Sequence, residues 1–264
     1  MRKAVAVTLV LIVAIALSCP RESRALTIFS LADAGAGPAD PRPNSNFAAA
    51  SFAAAAGALG PINTITFENL ATGFTNPLGA APGVTATFSG AFDTVSSPSL
   101  IGVTTNSGDP TALGYNTTVG GSKYLGFVPQ FEAPSATLTF SFSTPINAFG
   151  AYITGLEDGI AGVVTVQFND GSPQSFLLSD PIGGGVQFFG FTDAGHAISA
   201  VSFLETGVSG TRDIWGIDDV SYSVVPEPGT LLLLGSSLAG LGFLWRRIGK
   251  TQTLDHNPGE GLEP

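Results

Sequence analysis

From Ile62 to Val225 the chain runs as short apolar stretches, broken every few residues by Gly, Pro, Asn or Ser. This punctuation limits the fold more than any other feature, because the stretches are too short for packed helices and many alternate with strand period. The stretches are Ile62–Asn69, Val84–Ser89, Tyr124–Val128, Ala136–Phe142, Ala148–Thr154, Gly162–Phe168, Ser175–Leu178, Gln187–Phe191, Ile198–Leu204 and Ile217–Val225. Leu138, Phe140 and Phe142 alternate with Thr139 and Ser141, as in a sheet buried on one face. Asn169-Asp170-Gly171-Ser172 has the composition of a hairpin turn. The spacing predicts an all-β domain over residues 62–225, an antiparallel two-sheet sandwich of jelly-roll type. In Gln187-Phe188-Phe189-Gly190-Phe191, rings fall on both faces, so one of them must point outward or into another layer.

Residues 26–61 are rich in Ala and Pro, and Asn46–Ala56 reads as one short helix ended near Gly57. Asn44, Ser45 or Asn46 is its expected N-cap, with Phe47, Phe52 and Leu59 pinning it to a sheet.

The two ends carry a different message. Met1-Arg2-Lys3 followed by the apolar run Ala4–Leu17 has the layout of a secretory signal peptide over residues 1–25. Ser23-Arg24-Ala25 places the first-choice cleavage after Ala25, with Ser18 as the second choice. An uncleaved anchor and lipidation at Cys19 are the alternatives. Cleavage after Ala25 removes Cys19, the one cysteine, so the mature chain has no disulfide and no thiol ligand.

At the other end Val225-Pro226-Glu227-Pro228-Gly229 precedes the apolar run Thr230–Trp245 and then Arg246-Arg247. A helix over that run is about 24 Å long, short for a bilayer but workable with snorkelling ends. The two arginines are expected on the cytoplasmic side. The order Pro-Glu-Pro, short span, basic pair resembles the PEP-CTERM sorting signal of Gram-negative bacteria, here over residues 226–247. The resemblance implies export, anchoring through a C-terminal transmembrane helix, and processing by an exosortase. It also implies a place at the cell surface or outside the cell of an organism that makes exopolysaccharide. The polar tail 248–264 departs from the usual pattern, which stops soon after the basic cluster.

The middle of the chain is also similar to the extracellular β-sandwich domains that precede such signals. Ile65-Thr66-Phe67-Glu68-Asn69, Phe149-Gly150-Ala151-Tyr152-Ile153 and Gly216-Ile217-Asp218-Asp219-Val220 carry that likeness. It implies a relation to jelly rolls of carbohydrate-binding and calcium-binding proteins.

The formal charge of the whole chain is −10, and between Leu26 and Val225 fifteen acidic residues face three basic ones. A nucleic-acid partner is excluded on that ground, because phosphate attraction needs clustered positive charge. Strand alternation puts Asp218 on the face of Val220, Tyr222 and Val224, which reads as inward. A carboxylate there needs a cation or hydrogen-bond donors. One reading is a structural Ca²⁺ held by Asp218, Glu68 and Asp213, with carbonyls and waters completing the shell. The other has Asp218 paired with Arg212 or accepting loop N–H groups. Glu157-Asp158-Gly159 is a weaker metal candidate and has the composition of a turn.

A sugar platform needs exposed aromatic rings. Trp215 is one candidate, and Tyr115 and Tyr124, which flank the loop Val119-Gly120-Gly121-Ser122, are the others. For catalysis His196 stands alone in the turn Asp193-Ala194-Gly195-His196, and no nucleophile elbow, metalloprotease helix or phosphate loop is present. The expected function is non-catalytic, and the resemblance to PEP-CTERM proteins implies a matrix or envelope component associated with exopolysaccharide. A dedicated carbohydrate-binding module stabilised by calcium is the alternative reading, and a glycoside hydrolase the third.

Overall fold

The computed structural model describes residues 26–106, 110–130, 135–157, 162–178, 183–205 and 213–225. Contacts divide the chain into Met1–Val225 and Pro226–Pro264, and the second unit lies outside the described residues. The order is β1 (Thr27–Ala34), α1 (Pro43–Gly57), β2 (Ile62–Ile65), β3 (Leu78–Ala81), β4 (Val84–Gly90) and β5 (Gly102–Thr105). A single helical turn α2 (Pro110–Leu113), β6 (Lys123–Phe127), β7 (Ala136–Thr154), β8 (Gly162–Phe168) and β9 (Pro173–Leu177) follow. The chain then forms β10 (Gly185–Thr192), β11 (Ile198–Glu205) and β12 (Trp215–Val224).

The 19-residue β7 joins two predicted strands into one and serves two layers. Its first half, Ala136–Phe142, pairs with β4 on one side and β11 on the other. Its second half, Ala148–Thr154, pairs with β10 and β12. The first layer therefore runs β3-β4-β7-β11-β8-β9. The second runs β1-β10-β7-β12, with β2 and β6 side by side along β12 and β5 outside β6. All the pairings are antiparallel.

The inner faces meet through aromatic rings. Phe142 lies 5.3 Å from Tyr222, Phe203 6.1 Å from Trp215, and Phe176 6.1 Å from Phe189, each pair crossing between layers. The antiparallel all-β architecture is the expected one, its strands joined here in a single 12-stranded sheet, and the hairpin at Asn169–Ser172 joins β8 to β9.

Three strands were not foreseen. β3 is Leu-Gly-Ala-Ala, with no β-branched residue to mark it. β5 is a short edge strand beside β6. β1 draws residues 27–34 into the sheet along the full length of β10, so the Ala/Pro-rich segment belongs to the sandwich rather than preceding it.

Helix α1 covers the outer face of the second layer. Ala48, Phe52 and Ala56, spaced four apart, are buried against Ala148 and Phe188. That answers the Gln187–Phe191 puzzle: Phe188 points out under the helix, while Phe189 and Phe191 point into the core. Phe47 was expected to pin the helix but is 67% exposed. None of the expected caps holds its start either. The N-cap position is Arg42, whose side chain makes no capping bond. Asp33 of β1 caps the helix from outside, accepting from Asn44 N (3.1 Å), Ser45 N (2.8 Å) and Ser45 Oγ (2.7 Å). Burial opposes ionisation of Asp33, yet these bonds from Ser45 and Asn44 hold its carboxyl below the ordinary value.

Candidate functional site

β12 carries the densest polar chemistry in the domain. Trp215 and Ile217 lie in the core, as do Val220 and Tyr222, so the alternation slips by one residue between them. The pairing with β7 shifts between Asp218 and Ser221, and Asp219 has φ 48, a left-handed residue in a β-bulge. Alternation alone put Asp218 on the inward face of Val220 and Tyr222. The bulge breaks that parity and places Asp218, still fully buried, on the opposite face beneath the segment Tyr115–Lys123.

That segment is laced down by donors. Asp218 Oδ2 accepts from Thr117 N (2.6 Å), Thr118 N (3.2 Å), Asn116 Nδ2 (3.1 Å) and Thr117 Oγ1 (3.1 Å). Asp219 takes the hydroxyls of Thr117 at 2.8 Å and Thr118 at 2.6 Å. Asp218 thus accepts loop N–H groups, one of the two alternatives to a metal. Arg212, the other, lies outside the described residues. Asp218 Oδ1 is buried with no hydrogen-bond partner among the described residues. Burial, then the neighbouring Asp219 charge, pushes the Asp218 carboxyl up to about 7 against the pull of its N–H donors.

Glu68 joins the same network from the turn after β2. Its Oε1 accepts from Asn116 Nδ2 (2.9 Å), Ser122 N (2.7 Å) and Lys123 N (2.7 Å). Gly121 lies so close to the Glu68 carboxylate that a Cβ there would collide with it. Glu68 and Asp218 are therefore brought together, through Asn116.

Asp213 is not part of that group. Its Oδ2 accepts from Glu157 N at 2.5 Å, and its backbone N donates to Glu205 Oε1 at 3.1 Å. Burial raises the Asp213 carboxyl to about 7 against the Glu157 hydrogen bond, and the Glu205 and Glu157 charges add to the rise. Glu205, buried on β11, is likewise raised to about 7 by burial, partly offset by its bond from Trp215. Among the described residues no group of three or more His, Cys, Asp or Glu side chains is placed to hold a metal. The set Glu68, Asp213 and Asp218 is therefore not assembled. Glu157 makes its contact with Asp213, while Asp158 and Gly159 lie outside the described residues.

The aromatic candidates are all interior. Trp215 is fully buried, its ring 4.3 Å from Phe127 and its Nε1 2.8 Å from Glu205 Oε2. Tyr115 is fully buried with its hydroxyl donating to Ala36 O. Tyr124 is fully buried with its hydroxyl 3.2 Å from Leu113 O. None can stack on a sugar at the surface, because each ring is spent on packing that its position in the chain did not reveal. His196 is the expected turn residue, with Nδ1 2.9 Å from Asp193 Oδ2 and its ring beside Phe168.

Asn116, Thr117, Thr118, Lys123 and Glu205 carry much of this chemistry and were not singled out from sequence. No periodicity marks them, since their roles arise from contacts across long separations. A solvent-open cleft of about 450 Å³ also lies between the edges of β2 and β3, lined by Thr64, Thr66, Asn69 and Ala80.

Below the site β12 ends at Val224, and Val225 N still donates to Pro145 O at 2.9 Å. Residues 224–248 match the family model of the PEP-CTERM protein-sorting motif, so the chain carries that motif, as its Pro-Glu-Pro pattern implied. A motif of this kind goes with an exported protein. Pro226, Glu227, Pro228, Arg246 and Arg247, and Ala25 at the expected cleavage point, lie outside the described residues. Among the described residues no helix is long and apolar enough to cross a membrane.

No curated protein sequence matches the chain. Among solved structures, the enzymatically active domain of bacteriophage CBA120 tailspike protein 4 is similar at 18% identity and a TM-score of 0.33. That match covers 58% of this chain and 21% of the tailspike chain, so this chain spans about a fifth of it. The K2 cleaved adhesin domain of Lys-gingipain is similar at 14% identity and a TM-score of 0.36, covering 62% of this chain and all of that one. The family 11 carbohydrate-binding module of a cellulosomal cellulase of Clostridium thermocellum matches at 8% identity and a TM-score of 0.30. There 62% of this chain and 95% of the module are covered. At these scores the likenesses carry nothing about ligand or chemistry to this chain.

Proposed function

We propose that the chain is an exported, non-catalytic component of the cell envelope or extracellular matrix, associated with exopolysaccharide. Its PEP-CTERM motif hands it to an exosortase-type enzyme, and its C-terminal apolar segment holds it in the membrane until then. The domain is a jelly-roll-like scaffold carried to the cell surface by that address. The observation that supports the reading is the motif match at residues 224–248, which starts within the last strand of the sandwich.

Matrix retention is tested by fractionating a producing strain before and after enzymatic removal of its exopolysaccharide. The reading expects the protein to leave the matrix fraction when the polysaccharide is removed, and unchanged retention would contradict it. A selective hit for the purified chain on a glycan array would favour a dedicated module instead. Turnover of a glycosidase substrate panel would favour a hydrolase.

A further inference from the structure

Among the described residues the free strand edges of the domain are blunted, except at β1. β2, β3 and β5 have four residues each, and β3 carries a register shift against β4. The outer side of β5 is closed by a bridge to Gly73, whose N donates to Val103 O at 2.8 Å. β9 opens with Pro173, which has no N–H to offer a neighbour. Short strands, broken registers and prolines are devices that keep sheets from pairing edge to edge. β1 has none of them. Its eight residues pair with β10 without a break, and its other side meets no strand among the described residues. Ile28 and Leu31 are 38% and 43% exposed, and Ser30 between them is exposed too. The one charge of the strand, Asp33, is engaged by Ser45 and Asn44 at the start of α1. Asn44 Nδ2 also reaches Ala32 O at 3.3 Å, which leaves that carbonyl a second lone pair.

We infer that β1 pairs antiparallel with β1 of a second copy of this chain, forming a two-fold dimer. The strand is complementary to itself when the two copies centre on Ser30. Phe29 then faces Leu31, Ile28 faces Ala32 and Asp33 faces Thr27, so apolar residues meet apolar ones and no like charges meet. Phe29 already packs edge-on against Phe52 of α1, with ring centroids 6.0 Å apart, and Leu31 of the second copy extends that apolar patch. Charge points to the same line of contact. Fifteen acidic residues against three basic ones between Leu26 and Val225 make two copies repel one another, whereas the run Leu26–Ala32 is uncharged. Each copy uses the same edge, so the contact closes as a dimer and grows no further.

The test is the molar mass of the full-length chain in mild detergent, measured by light scattering for wild type, Ser30→Lys and Ser30→Glu. Ser30 faces its own counterpart at the two-fold axis, so either substitution sets two like charges side by side. Wild type is expected at twice the monomer mass, each variant alone at the monomer mass, and an equimolar mixture of the two variants back at the dimer mass. A monomeric wild type overturns the inference and leaves the edge to a different partner. So does a dimer that either variant alone retains, or a mixture that stays monomeric. Where a charged variant gives no folded protein, cross-linking decides. Cys19 is the one cysteine, so Ser30→Cys on a Cys19→Ser background carries a single thiol. A short bis-maleimide is expected to link it into dimers and to leave Val119→Cys, at a residue 99% exposed, unlinked on the same background. No linkage at position 30, or equal linkage at both positions, overturns the inference.

Discussion

A single left-handed residue, Asp219 at φ 48, decides which chemistry β12 displays. Without the bulge Asp218 would share the face of Val220 and Tyr222. With it, Asp218 turns to the other face and organises Asn116, Thr117 and Thr118. Replacing Asp218 by Ala strips the acceptor from two backbone N–H groups, which costs about 1–3 kcal/mol for each one left unsatisfied in a buried position. A drop of several degrees in the thermal midpoint checks this. The buried carboxyls also set a pH dependence. Asp213, Asp218 and Glu205 are each held near 7 in the folded domain by burial, above the ordinary 3.8 or 4.5 they regain on unfolding. Between about pH 4 and 7 the unfolded chain releases these protons and the folded one keeps them, so stability falls as pH rises. Melting curves should show a higher midpoint at pH 5 than at pH 8. Glu205→Gln should flatten that difference, and a midpoint that rises across the window would contradict the account.

At the scale of elements, the seating of α1 depends on glycines below it and a carboxylate beside it. Gly150 and Gly190 are partners across β7 and β10, and a Cβ on either would lie within 3.0 Å of both Phe188 and Phe52. Gly150→Val should push the helix off the sheet at a cost of about 1–3 kcal/mol, read as a lower denaturation midpoint. Asp33→Ala removes the cap supplied by β1 and should cost about 1–2 kcal/mol. Loss of helical signal before the sheet signal on heating would locate that effect in α1.

Elements were legible where a strand meets one apolar and one polar face, as at Leu138, Phe140 and Phe142. They were not where the strand is Gly-Ala-Ala, as in β3, or where one strand bends between layers at Thr144–Pro145 and reads as two. The helix was visible from its alanines, but its cap was not, because Asp33 stands ten residues before Pro43 and acts across space. The candidate site was half legible. Glu68 and Asp218 do converge, yet the bulge and the Asn116 bridge depend on which loop folds over β12. Asp213 and the three buried rings were misplaced for the same reason: the sequence neighbourhood of a residue does not say which layer covers it.

For the whole molecule the address is the most specific feature. The last strand, β12, ends at Val224, the first residue of the sorting-motif match at 224–248. Val225, the last described residue before the Pro-Glu-Pro run, still donates its N–H to Pro145 O. The most direct measurement replaces Pro226, Glu227 and Pro228 together by Ala and follows the protein through membrane, surface and medium fractions. The account predicts that wild type reaches the surface or medium while the triple variant accumulates unprocessed in the membrane fraction. A triple variant distributed like wild type would contradict it.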